Sequence, residues 1–179
     1  TDKQKSYHQK SKVRDLALLT LLLGTGIRVS ECVGLNIADI DFKNGGIRIY
    51  RKGGKEVTVY FGTEVEDALL DYLEERDRII PEKGHEDALF LSLQRRRMAV
   101  RSVENLVKKY ARIVSPLKPI TPHKLRSTYG TNLYRETGDI YLVADVLGHS
   151  DVNTTKRHYA ALEDERRRSA RNKVRLREK

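Results

Sequence analysis

The sequence predicts an α+β domain that is mainly α-helical and carries a small antiparallel β-sheet. Apolar residues recur at helical spacing through most of the chain, which indicates amphipathic helices. Between residues 37 and 61 they alternate with period two around glycine-rich turns, which indicates strands. Helices are expected at residues 13–23, 31–35, 63–80, 100–114, 123–136 and 140–147, with a short one starting at residue 152.

The first helix, at residues 13–23, is rich in leucine, and the glycines at 24 and 26 are expected to end it. Ser30 is a suitable N-cap for the next helix. Arg28 is therefore predicted to lie in a tight junction between two helices. A guanidinium there needs a partner, which Glu31 or a bound phosphate could supply.

The predicted strands cover residues 39–42, 47–50 and 56–61. The last two are joined by a basic, glycine-rich turn that contains Lys52 and Lys55. A lysine in such a turn is usually an ordinary solvated side chain. Lys52 therefore needs support from other residues before a chemical role can be assigned to it.

Residues 121–159 hold an unusual concentration of groups suited to phosphate chemistry. Thr121 and Pro122 can start a helix, on which His123 and Arg126 share a face. The first turn of that helix would also offer backbone donors to an anion. A glycine turn then presents His149, which could equally be a helix-cap histidine. Tyr159 follows on a short helix; it could be one of the chain's nine ordinary tyrosines or a nucleophile.

Three fragments together resemble the catalytic domain of the tyrosine recombinases, the phage integrase family. They are GTGIRVSE at residues 24–31, YRKGGK at residues 50–55, and residues 121–159 with TPHKLR, LGHS and TTKRHY. The resemblance covers about residues 15–161 and implies the fold of that catalytic domain. It implies a catalytic set with no substitution in this chain: Arg28, Lys52, His123, Arg126, His149 and Tyr159.

The resemblance also implies roles for these residues. Arg28 and Arg126 would hold the two non-bridging oxygens of a DNA phosphodiester, and Tyr159 would attack phosphorus to form a 3′-phosphotyrosyl intermediate. Lys52 would protonate the leaving 5′ oxygen. Two further roles are our interpretation. His123 would be the base that deprotonates Tyr159, and His149 would donate a hydrogen bond to a phosphoryl oxygen. Glu31 is expected to orient Arg28, and His158 is a weaker rival for phosphate contact.

The formal net charge of +10 and the pI of about 9.7 fit either a nucleic-acid partner or simply a soluble basic protein. Backbone contacts to DNA are expected from Lys55, Arg95, Arg96, Arg97 and Lys124. Cys32, the only cysteine, is expected to be a buried small hydrophobe. No cofactor or metal is expected. The chain has no apolar run long enough to span a bilayer, so a cytoplasmic site of action is expected.

The domain plan has three parts. Residues 1–12 are expected to be a linker from a preceding DNA-binding region, residues 13–162 the catalytic domain, and residues 163–179 a charged tail that is mobile or swapped between subunits. The expected partners are double-stranded recombination sites. A homotetramer should form on paired sites, and the free domain should be monomeric.

Three functions remain open on the sequence. The first is the catalytic domain of a site-specific recombinase or integrase, which needs neither metal nor ATP. The second is a type IB topoisomerase-like enzyme, which also nicks DNA through tyrosine but does not exchange strands. The third is a DNA-binding module without catalytic activity. The LGHS-to-tyrosine pattern favours the recombinase.

Overall fold

Helices dominate the chain, as the computed structural model shows. It describes residues 2–149, 151–171 and 173. Within that part of the chain lie eight α-helices: α1 Asp2–Thr25, α2 Val29–Gly34, α3 Thr63–Arg76, α4 Val100–Val114, α5 Pro122–Thr137, α6 Ile140–Leu147, α7 Val152–His158 and α8 Ala160–Ala170. A 3₁₀ turn, Ile37–Asp39, precedes the strands β1 Ile40–Asp41, β2 Gly46–Arg51 and β3 Lys55–Tyr60.

The sheet is antiparallel with the order β1-β2-β3. Its longest pairing runs from Gly46 opposite Tyr60 to Arg51 opposite Lys55. Ile47, Ile49 and Val59 are buried, because alternate residues of a strand point to the same face. The fold class, mainly α-helical with a small antiparallel sheet, is as predicted.

The chain divides into two compact units, Thr1–Ser127 and Thr128–Lys179. The core of the first unit joins α1, α3, α4 and the sheet through residues such as Leu18, Leu69, Val103 and Ile47. Cys32 belongs to this core and is fully buried, and burial raises its thiol pKa to about 12. This outcome agrees with the expectation that Cys32 acts as a small apolar residue.

The second unit has a smaller core, in which α5, α6 and the end of α7 meet. Its buried members are Tyr134, Ile140, Val143, Leu147 and Tyr159.

Two helix boundaries differ by more than two residues from the sequence-based expectations. Helix α1 begins at Asp2, well before the apolar pattern starts at Val13, because polar residues continue a helix once the buried part has nucleated it. Helix α3 ends at Arg76 and not at residue 80. Arg76 is buried and donates to the carbonyls of Glu86 and Ala88, which fastens this end of the helix.

Candidate active site

Arg28 lies at the junction between α1 and α2, as predicted. Gly26 makes the turn after α1 with a φ of 68°, a left-handed conformation that favours glycine. Ile27 is then buried, and Arg28 becomes the N-cap residue of α2 with 42% of its side chain exposed. The junction thus presents a guanidinium to solvent from a well-packed backbone.

Glu31, and not the expected Ser30, caps the start of α2. Its Oε1 accepts the backbone N–H of Arg28 at 2.8 Å, and its Oε2 lies 3.5 Å from Nη1 of the Arg28 side chain. The carboxylate is better placed than the serine hydroxyl because it reaches back from the third helical position. Glu31 thus contacts both the backbone and the side chain of Arg28, and its orienting role stays a prediction.

A second arginine shares this carboxylate. Nε of Arg51 lies 3.4 Å from Oε2 of Glu31, and both side chains are almost completely buried. Arg51 is the last residue of β2. Sequence reasoning did not single it out, although its position next to Lys52 was a usable signal.

Lys52 lies in the turn that joins β2 to β3, as predicted. Gly53 and Gly54 have φ values of 84° and 76°, and the N–H of Gly54 donates to the carbonyl of Arg51 at 3.1 Å. Both Lys52 and Lys55 are exposed. A cation on such a glycine turn can reach a ligand outside the sheet.

His123 and Arg126 lie in the first turns of α5. The hydroxyl of Thr121 accepts the backbone N–H of Lys124 at 3.2 Å, which is the capping contact expected there. His123 is exposed, whereas Arg126 is buried and donates through Nη1 to the carbonyl of Gly26. This bond holds the Arg126 guanidinium at the carbonyl of Gly26, which lies two residues before Arg28 in the sequence.

The second unit contains His149, which follows the left-handed Gly148 at the end of α6. Its backbone N–H donates to the carbonyl of Ala144 at 2.9 Å, so its backbone caps the helix. Its side chain has a separate contact, since Nδ1 lies 2.6 Å from the hydroxyl of the fully buried Thr155. This contact orients the imidazole ring of His149.

Tyr159 follows α7 as its C-cap residue and is only 3% exposed. Its ring stacks on Tyr134 with 6.1 Å between centroids and meets the edge of His158. Its hydroxyl lies against Gly130 of α5. Tyr134 and the half-buried Tyr129 are packing residues, as expected, and burial raises the pKa of both phenols.

The basic loop at residues 95–97 contains two kinds of arginine. Arg95 is exposed and pairs with Glu82, and Arg96 is also exposed. Arg97 instead donates to the carbonyls of Val33 and Leu35 at 3.0 and 2.8 Å. Its guanidinium therefore ties this loop to the end of α2, which favours a structural role over the expected DNA contact.

The predicted tail begins as a helix. In α8, Arg166 lies over the ring of Tyr134 with its guanidinium carbon 5.6 Å from the centroid, and its Nη1 donates to the carbonyl of Arg135 at 3.2 Å. Leu162 packs against the core of the second unit. These contacts attach α8 to its own unit; residues 172 and 174–179 of the tail lie outside the described part of the chain.

The predicted catalytic residues divide between the two units: Arg28, Lys52, His123 and Arg126 in the first, His149 and Tyr159 in the second. In the described part of the chain, no three His, Cys, Asp or Glu side chains gather into a group that could hold a metal ion. Over the same residues no helix combines the length and apolar character needed to cross a bilayer.

Comparison with known proteins decides the family. The sequence model of the Phage integrase family matches residues 2–166. The chain belongs to the phage integrase family. This confirms the resemblance drawn from the sequence motifs.

Members of the phage integrase family with similar sequences are named tyrosine recombinases. The chain is 38% identical over 148 residues to tyrosine recombinase XerD of Oceanobacillus iheyensis, covering 82% of this chain and 50% of that protein. It is 36% identical over 170 residues to XerS of Streptococcus uberis, covering 93% and 47%. The chain thus spans about half the length of the curated relatives it matches.

Solved structures of the family share the fold. The crystal structure of XerA recombinase matches with a TM-score of 0.78 at 30% identity, covering 99% of this chain and 65% of XerA. XerH site-specific recombinase bound to its palindromic difH substrate, in a post-cleavage complex, matches with a TM-score of 0.77 at 26% identity. That match covers 90% of this chain and 46% of XerH. The tyrosine recombinase catalytic-domain fold predicted from the sequence is thereby confirmed.

Proposed function

We propose that this chain is the catalytic domain of a site-specific DNA recombinase or integrase. It would cleave and rejoin DNA through a 3′-phosphotyrosyl intermediate, using neither metal nor ATP. The observation that carries the proposal is the buried bond from Arg126 to the carbonyl of Gly26. It brings two arginines from distant parts of the chain to one helix junction, where both could hold a single phosphate.

In this proposal Arg28 and Arg126 bind the two non-bridging oxygens of the scissile phosphodiester. The phenolic oxygen of Tyr159 attacks phosphorus, and the bond from phosphorus to the 5′ oxygen breaks. Fixed guanidinium groups stabilise the charge that develops on the phosphoryl oxygens in the transition state. The energy of the broken bond is kept in the phosphotyrosyl ester, so a second DNA 5′ hydroxyl can reseal the strand.

The proton transfers need a base and an acid. Tyrosine normally titrates near pH 10, so its attack requires proton removal. His123, exposed on the first turn of α5, is the proposed base. Lys52 is the proposed acid for the leaving 5′ oxygen, and His149, oriented by Thr155, would donate to a phosphoryl oxygen.

The burial of Tyr159 sets a condition on this chemistry. Tyr159 is 3% exposed and its hydroxyl lies against Gly130, so in this proposal it would have to move to meet a scissile phosphate. The segment that joins α7 to α8 must therefore change its packing before cleavage. This places a conformational step ahead of the chemical step.

Binding to the DNA backbone would use exposed cations around the site. Lys55, Arg95, Arg96 and Lys124 are all exposed and remain proposed contacts. Arg97 is left out because its donors bind carbonyl groups of the domain. A domain with a net charge of +10 would bind the backbone with strong dependence on salt.

The proposed assembly is a homotetramer on paired recombination sites, with a monomeric free domain. The recombinase names of the relatives and the XerH complex with its DNA substrate support the DNA partner in this proposal. The topoisomerase-like and non-catalytic alternatives have no comparable support among these relatives.

The decisive experiment is covalent trapping on a nicked suicide duplex taken from DNA that flanks the gene. Tyr159→Phe should abolish the protein–DNA adduct and leave DNA binding close to that of the wild type, because only the nucleophilic oxygen is lost. Tyr134→Phe, which alters a buried phenol stacked on Tyr159, is the matched control and should retain the adduct. An adduct that persists in Tyr159→Phe would refute the assignment.

A further inference from the structure

Glu31 links two arginines with very different surroundings. Its carboxylate holds the backbone and guanidinium of Arg28, which is 42% exposed and available to a ligand. The same Oε2 lies 3.4 Å from Nε of Arg51, whose side chain is 8% exposed. One buried carboxylate thus joins the helix junction to the end of β2.

Arg51 also defines the base of the turn that carries Lys52. It pairs with Lys55 across the hairpin, and its carbonyl accepts the N–H of Gly54. Beyond this base the turn consists of Lys52 and two glycines with positive φ, which are the least restricted residues of a backbone. At this base, the Arg51 side chain pairs with Glu31.

We propose that Arg51 is a positioning residue, which fastens the turn bearing Lys52 to the Glu31–Arg28 junction. The inference rests on the proposed function, in which Lys52 is the general acid and Arg28 binds the phosphate. An acid must be held close to the leaving oxygen to act. The buried carboxylate of Glu31 would keep the turn bearing Lys52 at a fixed position relative to Arg28. Separating a buried ion pair is costly because it leaves an uncompensated charge.

The chain contains a matched pair that lacks this connection. Arg48, on the same strand, lies with Nε 3.2 Å from Oδ1 of Asp39, and Asp39 accepts the backbone N–H of Asn36 just as Glu31 accepts that of Arg28. Arg48 is 44% exposed and lies in the middle of β2, away from the turn. Arg48→Met is therefore the control for loss of an arginine–carboxylate pair on this strand.

The anchor itself is tested by hydrogen exchange of the full chain without DNA. Arg51→Met should speed exchange of the Gly54 amide, which donates to the carbonyl of Arg51, by about tenfold, because local opening no longer breaks the ion pair. Arg48→Met should leave exchange there unchanged. If the charge left on Glu31 prevents folding, the double variant Glu31→Gln with Arg51→Met removes both charges and should show the same acceleration. A wild-type exchange rate of this amide in Arg51→Met, or in the double variant if the single variant does not fold, would overturn the proposal.

The chemical consequence is tested with two nicked duplexes from DNA flanking the gene. They differ only in the scissile 5′-bridging atom, oxygen or sulfur. Sulfur leaves without a general acid, so Arg51→Met should lose about 10- to 100-fold in cleavage of the oxygen substrate and under about threefold with sulfur. Arg51→Lys, which keeps the charge, should recover part of the loss.

The outcomes separate this inference from the proposed function. If the wild type forms no tyrosine adduct on either duplex, the proposed function fails and the positioning role falls with it. If the wild type forms the adduct and Arg51→Met loses equally on both substrates, only the inference fails. Arg51 would then act on the phosphate site or on stability and not on Lys52.

Discussion

The hydroxyl of Tyr159 lies directly against the Cα of Gly130, so that a methyl group at residue 130 would overlap it. Gly130 is buried within α5, and the Tyr159 ring stacks on Tyr134 one turn further along that helix. The absence of a side chain at residue 130 is therefore what allows Tyr159 to be buried in this unit.

Gly130→Ala should destabilise the second unit by about 1–3 kcal/mol, the usual cost of adding a methylene group to a packed core. The quantity to measure is the free energy of unfolding in urea. Gly34→Ala is the matched control, because Gly34 also lies in a helix but has open space where its Cβ would be. That control should be neutral or stabilising by under about 1 kcal/mol. Equal effects at both positions would show that the Tyr159 contact is not tight.

Arg28→Ala and Arg126→Ala should both slow cleavage by at least about 10² to 10³, the value of one fixed donor to a developing oxyanion. Their effects on stability should differ. Arg126 is buried on the Gly26 carbonyl, whereas Arg28 is partly exposed. Arg126→Ala should therefore lower the unfolding temperature clearly more than Arg28→Ala. Single-turnover cleavage and thermal unfolding of each variant provide the check, and cleavage within threefold of wild type would make that arginine structural.

Lys52→Ala should slow cleavage of an ordinary phosphodiester, and a substrate with a 5′-bridging sulfur should restore the rate. The physical reason is that a thiolate is a good leaving group and needs no proton. Lys55→Ala is the matched control, because Lys55 is an exposed lysine of the same hairpin. It should weaken binding modestly and affect both substrates alike. A failure of sulfur to rescue Lys52→Ala would exclude this lysine as the acid.

Truncation after Ala161 tests whether the tail serves assembly. The removed part includes Arg166, which holds α8 on Tyr134 and the Arg135 carbonyl. If the tail exchanges between subunits, truncation should impair recombination and assembly on paired sites far more than binding to a single site. Gel-shift and recombination assays on one-site and two-site DNA give the comparison. If both activities fall together and high salt mimics the loss, the tail is only an electrostatic arm.

Local sequence patterns determined much of this protein. Apolar spacing places helices α4 and α6 at the residues observed, since a helix that buries one face must repeat apolar residues along it. Glycines at residues 26, 53, 54 and 148 mark turns, because all four have a positive φ that glycine adopts more readily than other residues. The order and spacing of the arginines, histidines and tyrosine predicted the family, and the family model that matches residues 2–166 confirmed it.

Tertiary structure alone decided how those residues are held. Arg126 and Gly26 are 100 residues apart in the chain, and the bond between them exists only once α5 packs beside the α1–α2 junction. The pairing of Arg51 with Glu31 likewise joins a strand to a helix. The burial of Tyr159 depends on Gly130, a residue with no side chain to draw attention in the sequence. Such contacts depend on which surfaces meet in three dimensions, and the local periodicity of a sequence does not encode that.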